Sequence, residues 1–353
     1  MQNRKPCVSP PLRERLFDLV SRLVLCHSPS GAETEIDTAL FSLLRDRGIE
    51  PSQDEAGNLI ARIPGRSPGP VLAITAHKDE IGGIVKRVRE DGRIEVRKLG
   101  GAFPWVYGEG VVDLLGDHRT ISGILSFGSR HVSHESPQKI YEEDRPPRWE
   151  TVWVDPKLGW RQLQDAGIRA GTRVVVGKHR KTPFRMGDYI ASYALDNKAA
   201  VAVLLLLAES LKTPARDTWL VFSAKEEVGG IGALYFTQHN SIDELIALEI
   251  APKSSEYPIV YDQAPALLSQ DSYGLYDEDL NLRIVAAAKR AGTLVQHAIL
   301  NQFGSDGSVS MKWGHVARAA CLGFPADNTH GYEIAHLGAL EACFQILLEF
   351  CRS

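Results

Sequence analysis

The stretch Phe222-Ser223-Ala224-Lys225-Glu226-Glu227-Val228-Gly229-Gly230 decides how this chain is read. The apolar run Trp219–Phe222 predicts a buried strand, and two carboxylates follow it directly, ahead of a Gly-Gly turn. Adjacent glutamates are ordinarily a solvated face. Placed here, they are fixed near the edge of a sheet, where ligands of α/β folds collect. Their side chains diverge, so one can hold a cation while the other reaches a water. Four further stretches stand at the ends of apolar runs: His77-Lys78-Asp79-Glu80, Leu195-Asp196-Asn197-Lys198, Glu249 in Ala247-Leu248-Glu249-Ile250, and His330 in Asn328-Thr329-His330-Gly331. Together they supply two imidazoles and several carboxylates, a donor set suited to two divalent cations that share a bridging ligand and a water.

Each group also has a plainer reading. A lone histidine after a strand, such as His77 or His330, is more often an ordinary loop or core residue. Asp79, two residues beyond His77, changes the balance, because in a turn its carboxylate can accept from the ring nitrogen that faces away from a metal. Asp196 has the position of an N-cap for a helix beginning near Asn197. Capping and bridging are compatible, since a carboxylate has two oxygens. Glu249 ends an apolar strand and would be costly to bury without a cation or a donor. The cluster His131-Val132-Ser133-His134-Glu135 has metal-like content but no helical pattern to align it, and reads as a surface or substrate-facing loop. Gly229-Gly230-Ile231-Gly232 hints at a dinucleotide turn, yet Tyr235 replaces the third glycine. There is no Walker lysine motif and no G-x-S-x-G elbow.

Working outward, the pattern changes twice. Ser9 with Pro10 and Pro11 predicts the start of a helix carrying Leu12, Leu16, Leu19 and Leu23. A second helix carries Ile36, Leu40, Leu43 and Leu44 and stops at Gly48. Strands are expected at 58–63 and 71–75. From about Val85 to about Arg185 the helical period nearly vanishes, and short runs (94–96, 110–114, 121–127, 151–154, 173–176) alternate with Gly, Pro and Asp turns, which predicts a small β domain. Within it Ser133 to Trp149 is polar, contains Pro137, Pro146 and Pro147, and reads as a long exposed loop. The α/β rhythm then returns: helices at 197–211, 230–239, 279–290 and 337–350, and strands at 219–222, 245–250, 294–300 and 316–322. The expected organisation is an α/β domain from residues 1–84 and 186–353, with a β domain, 85–185, inserted into it.

Composition narrows the partners. The 353 residues are 44% hydrophobic and carry a net charge of -4, so there is no basic field to hold a polyanion and nucleic acid is not expected. The amino-terminal segment leads into a charged amphipathic stretch and is not expected to act as a signal peptide, and the longest apolar run, Ala199 to Ala208, is too short to span a bilayer. No membrane partner is expected, and the cytoplasm is the expected location. Five dispersed cysteines (Cys7, Cys26, Cys321, Cys343, Cys351) form no C-x-x-C pair, which argues against a disulfide framework or a thiolate zinc site.

In this order, the five motifs, together with Pro29-Ser30-Gly31 and Gly304-Ser305-Asp306, resemble the glutamyl-aminopeptidase-like, tetrahedral aminopeptidases of the co-catalytic metallopeptidases of clan MH, some of which carry an endoglucanase label. The resemblance covers nearly the whole chain. It implies an α/β fold: a mixed-sheet di-metal peptidase domain with helices on both faces, plus an inserted, β-barrel-like dimerisation domain. It also implies two divalent ions per subunit, zinc first, with cobalt or manganese as alternatives. His77 and Glu249 would hold one, Glu227 and His330 the other, and Asp196 would bridge them. Glu226 would be the general base, Asp79 would orient His77, and Asp306 would contact substrate. The implied activity is hydrolysis of the amino-terminal peptide bond of short peptides with a free amino terminus, by a homo-oligomer whose dimers build a larger, tetrahedral shell. The sequence departs from the family pattern at Glu249 (more often aspartate), Lys198 (arginine), Asp327 (arginine) and Gly331 (serine); the last three are expected to affect substrate contacts. Two other readings are a divergent or glucanase-like hydrolase, which needs carboxylates facing each other across a sugar, and a catalytically silent assembly protein.

Overall fold

A computed structural model describes residues 11–67, 69–136, 139 and 145–353. The expected Ser9–Pro10 helix start, Cys7, and residues 137, 138 and 140–144 of the polar loop lie outside these residues. Four strands form the parallel heart of a twelve-stranded mixed sheet, in the spatial order Thr218–Ser223, Leu72–His77, Glu244–Pro252 and Ala319–Asp327. Antiparallel strands extend it on both sides, Leu59–Ile63 beyond Thr218–Ser223 and Glu333–His336 beyond Ala319–Asp327.

The parallel strands read as near-continuous apolar runs because both faces are covered, and alternate side chains enter opposite layers. Leu72, Ile74, Leu220, Phe222, Ile246 and Leu248 belong to the large core. Ala73, Val221 and Leu245 point the other way, into a smaller cluster with Phe236 of the helix Ile231–His239. The large core is organised around the helix Leu195–Ser210, buried from Leu195 through Ala208 and apolar all round from Ala199 to Ala208, hence internal. It packs against Leu12–Val24 and Leu337–Arg352.

The inserted segment forms a closed barrel of six antiparallel strands in the order Gly82–Val88, Ile94–Leu99, Trp153–Asp155, Thr120–Ser126, Gly110–Leu115 and Arg173–Val176. Val85, Val96, Leu114, Leu125, Val154 and Val174 fill it. Among the elements that escape the periodicity reading are the first barrel strand, whose two glycines and two basic residues mask its alternation, and the short helices Pro104–Tyr107 and Trp160–Asp165. The strand expected at 316–322 instead runs Ala319–Asp327, leaving only a short turn before His330. No helix among the described residues is long and apolar enough to cross a membrane.

Candidate metal centre

Parallel strands bring their carboxyl ends to one edge of a sheet, and that is how five sequence-distant motifs meet. His77 closes its strand. Ser223 closes the neighbouring one, and the chain turns through Lys225, at φ 56°, into the short turn Glu226–Val228. Glu249 lies within the third strand, paired with Gly323 of the fourth, which leads on to His330. Asp196 arrives from Tyr189–Ser192 at the head of the buried helix. Ala194, Lys225, Gln302, Asn328 and His330 all have left-handed backbones, a concentration of roughly 1–3 kcal/mol strains typical of functional sites.

The side chains converge on Asp196. Its Oδ1 lies 3.0 Å from His77 Nε2 and its Oδ2 3.5 Å from His330 Nε2. Glu249 Oε2 is 3.7 Å from His77 Nε2, and Glu227 Oε2 is 3.6 Å from His330 Nε2. Two groups able to hold a metal ion result, His77–Asp196–Glu249 and Asp196–Glu227–His330, with Asp196 common to both. Glu226 belongs to neither, and its Oε2 stands 3.9 Å from His77 Nε2.

A cation fits this arrangement on two observations. Glu227 Oε1 is buried with no hydrogen-bond partner, and four carboxylates crowd around two imidazoles. Burial, and then the neighbouring negative charges, push Glu249 and Glu226 well above the usual carboxylate range and Glu227 up to about 7. Burial acts to lower His77, but the charge of Glu249 and the bond to Asp196 outweigh it, and the imidazole is raised well above its ordinary value. Neutral imidazole and carboxylate donors without thiolate suit zinc and also cobalt or manganese.

Asp79 is fully buried and holds the floor of the site. Its carboxylate accepts from Ser30 Oγ at 2.6 Å and from the backbone N–H groups of Glu226 at 2.9 Å and Glu227 at 3.3 Å. The contact to His77 Nδ1 is shared: the Asp79 main-chain carbonyl lies at 3.2 Å and its carboxylate at 3.6 Å. Glu333 is a residue the sequence reading passes over. Its two oxygens accept from Asp196 N and His330 N, each at 3.0 Å. It opens the short strand Glu333–His336, which no apolar run marks in the sequence, so the signal that singled out Glu249 is missing here.

Three expectations are corrected. Asp196 is not an N-cap: it makes no side-chain capping bond, and Asp196 and Asn197 both depart from helical backbone. Asp306 does not face the cleft, for it is fully buried and accepts from Ser223 Oγ at 2.5 Å, while its neighbours Gln302 to Ser305 do line the cleft. Lys198 does not line the cleft either, being fully buried and donating to the Cys26 carbonyl at 2.6 Å and to Glu80 at 3.1 Å. Asp327 faces Lys253 at 3.4 Å, and a Cβ on Gly331 would stand 2.5 Å from Val106 Cγ1 of the barrel segment. His131, Ser133, His134 and Glu135 are exposed and belong to neither donor group.

Glu80 anchors the seam between sheet and barrel. Lys181 Nζ donates to it at 3.0 Å and Lys198 Nζ at 3.1 Å, while His27 links Lys181 at 3.1 Å to Asp113 of the barrel at 2.9 Å. Burial alone would raise Glu80, but Lys181, Lys198 and His27 hold it down to about 2. Lys181 moves against its usual direction, to about 8, because burial and the Lys198 charge outweigh the attraction of Glu80.

The model of the M42 glutamyl aminopeptidase family matches residues 57–346. The chain belongs to this family. Membership supports a peptide hydrolase of aminopeptidase type. The chain is 26% identical over 352 residues to YhfE of Bacillus subtilis (strain 168), covering 96% of this chain and 98% of that protein. It is 24% identical over 245 residues to the glutamyl aminopeptidase of Lactococcus lactis subsp. cremoris (strain MG1363), covering 69% of this chain and 68% of the relative. In fold it is similar to the Pyrococcus horikoshii TET1 peptidase, described as assembling into a tetrahedron or a large octahedral shell, with a TM-score of 0.85 at 20% identity over 95% of this chain and 99% of that one.

Proposed function

We propose that this M42 family member is a metal-dependent aminopeptidase that removes the amino-terminal residue of short peptides. The observation that carries the reading is the pair of donor groups sharing Asp196, with Glu226 beside them but in neither. His77 and Glu249 would hold one divalent cation, Glu227 and His330 the other, and Asp196 both, with zinc the first candidate. When bound, such ions lower the pKa of a water toward neutrality and polarise the scissile carbonyl. Glu226 takes the water's proton on its carboxylate and returns it to the leaving amine. In the metal-free site its burial and the negative charge of Glu227 favour the protonated form, and cations held by the neighbouring donors would favour the carboxylate that accepts a proton. Asp79 keeps the Glu226 backbone and the His77 ring in register.

A glucanase reading finds less support, because each carboxylate of the cluster lies within 3.9 Å of an imidazole instead of facing another carboxylate across a groove. The inserted β segment, whose barrel runs from Gly82 to Val176, is the proposed dimer contact, and dimers are proposed to build a closed, cytoplasmic shell that admits only narrow chains. Elemental analysis of metal-reconstituted protein, run with a fluorogenic amino-acid amide panel, tests the reading. Two ions per chain and chelator-sensitive amide hydrolysis are expected; one ion or none at saturation defeats the site, and folded, metal-free protein without turnover favours a silent scaffold. Short peptides should be trimmed while their acetylated forms and a stable folded protein survive, and light scattering should report an oligomer.

A further inference from the structure

The donor groups occupy only one end of the cleft. Around its cavity of about 240 Å³, the other end is walled by Ile250, Tyr273, Gln302, Phe303 and Val309, with glycine backbone between them. Among the described residues, no lysine, arginine or further carboxylate lines that end. Lys312 stands close by, but its ammonium lies over the Tyr273 ring, 4.7 Å from the centroid, already engaged by the aromatic face. Asp306, the nearest acid in sequence to this wall, is buried and bonded to Ser223.

Two glycines set the width of this end. A Cβ on Gly304 would stand 2.3 Å from Tyr273 Cε2, so the ring packs directly on backbone that no other residue would leave bare. A Cβ on Gly230, at φ 66°, would stand 2.8 Å from Val309 Cγ1. At both positions a neighbouring side chain therefore packs directly on backbone. What remains is an open-sided part of the cleft edged by apolar side chains and glycine backbone, beside the donor groups.

An exopeptidase substrate has one residue on the amino side of the scissile bond, and this apolar side of the cleft, next to the donor groups, is where that residue's side chain would lie. We propose that this side of the cleft receives the side chain of the amino-terminal residue and selects large neutral residues, aromatic or branched aliphatic, over lysyl, glutamyl and aspartyl ones; this rests on the aminopeptidase reading. A charged side chain would leave water for a wall that offers it no lysine, arginine or carboxylate beyond those of the donor groups and Glu226, while a phenylalanyl or leucyl side chain would exchange water for Tyr273, Phe303 and Val309.

The test is kcat/KM of the two-metal enzyme on phenylalanyl, leucyl, alanyl, lysyl and glutamyl amides. Phenylalanyl and leucyl amides should exceed alanyl by about tenfold, and exceed lysyl and glutamyl by on the order of 10- to 100-fold. Tyr273→Ala should cut the phenylalanyl-to-alanyl ratio about tenfold, a ratio taken within one protein and so independent of its folded fraction. Gly304→Ala, which must displace the Tyr273 ring, should also lower that ratio. A lysyl or glutamyl amide as best substrate, an unchanged ratio in Tyr273→Ala, or a preference that tracks only the second residue of dipeptides would overturn the assignment. If metal-loaded protein cleaves no amide, the aminopeptidase reading fails separately, and calorimetry with free phenylalanine and lysine still reads the selectivity of this side of the cleft: tighter phenylalanine supports it, tighter lysine overturns it.

Discussion

Replacing Glu226 with glutamine separates proton transfer from everything else the site does. The amide keeps the shape of a side chain that is 18% exposed, and the Asp79 bond to the Glu226 backbone is untouched. Because Glu226 lies outside both donor groups, cation content should stay near two per chain. An amide cannot accept the water's proton, and general-base catalysis is worth about 10²- to 10⁴-fold, or roughly 3–5 kcal/mol of transition-state stabilisation. The loss should fall on kcat with KM little changed, since the amide still packs against substrate. Folding stability of the metal-free protein should hold or rise, because one member of a crowded set of carboxylates has become permanently neutral. Asp196→Ala is the contrast: it strips the residue common to both groups and to both imidazoles, so cations and activity should go together. Kinetics and elemental analysis on the same preparations decide the matter. A Glu226→Gln enzyme retaining more than about a tenth of wild-type kcat would refute the assignment of the base.

Three further outcomes are expected. Glu333→Ala removes the acceptor shared by Asp196 N and His330 N, so cation affinity should fall by about 10- to 100-fold; competition with a chelating dye measures it, and wild-type affinity would reduce Glu333 to backbone support. Glu80, held down to about 2 by its lysines, contributes stability that is present above its unfolded pKa and is lost as the pH falls from about 4.5 through 2, roughly 3 kcal/mol in all. Urea unfolding should show that slope in wild type; Glu80→Gln should be weaker at neutral pH and flatter below 4.5, and an unchanged slope would place the acid sensitivity elsewhere. Leu204→Ala, in the middle of the fully buried helix, should cost about 3–5 kcal/mol by opening a cavity, read as a drop in denaturant midpoint, and a loss below about 1 kcal/mol would mean that the core closes over the gap.

The sequence by itself marked the charges that interrupt or closely follow apolar runs, because such a break is a local signal. His77, Asp196, Glu226, Glu227, Glu249 and His330 were legible that way, as were the two α/β segments flanking a stretch without helical period. Only the tertiary structure decided what each charge faces. Lys198 and Glu226 look equally polar in the chain, yet one is sealed against Glu80 and the Cys26 carbonyl while the other borders the cleft. Asp306 sits beside cleft residues but turns inward to Ser223. Glu333 gains its role from backbone groups of Asp196 and His330, the first of them 137 residues away in sequence. Barrel closure is of the same kind: Gly82–Val88 pairs with Arg173–Val176, a partner that periodicity within either strand does not name. Periodicity reports burial along one segment, whereas pairing, bridging and the direction of a buried carboxylate depend on groups brought together only when the chain has folded.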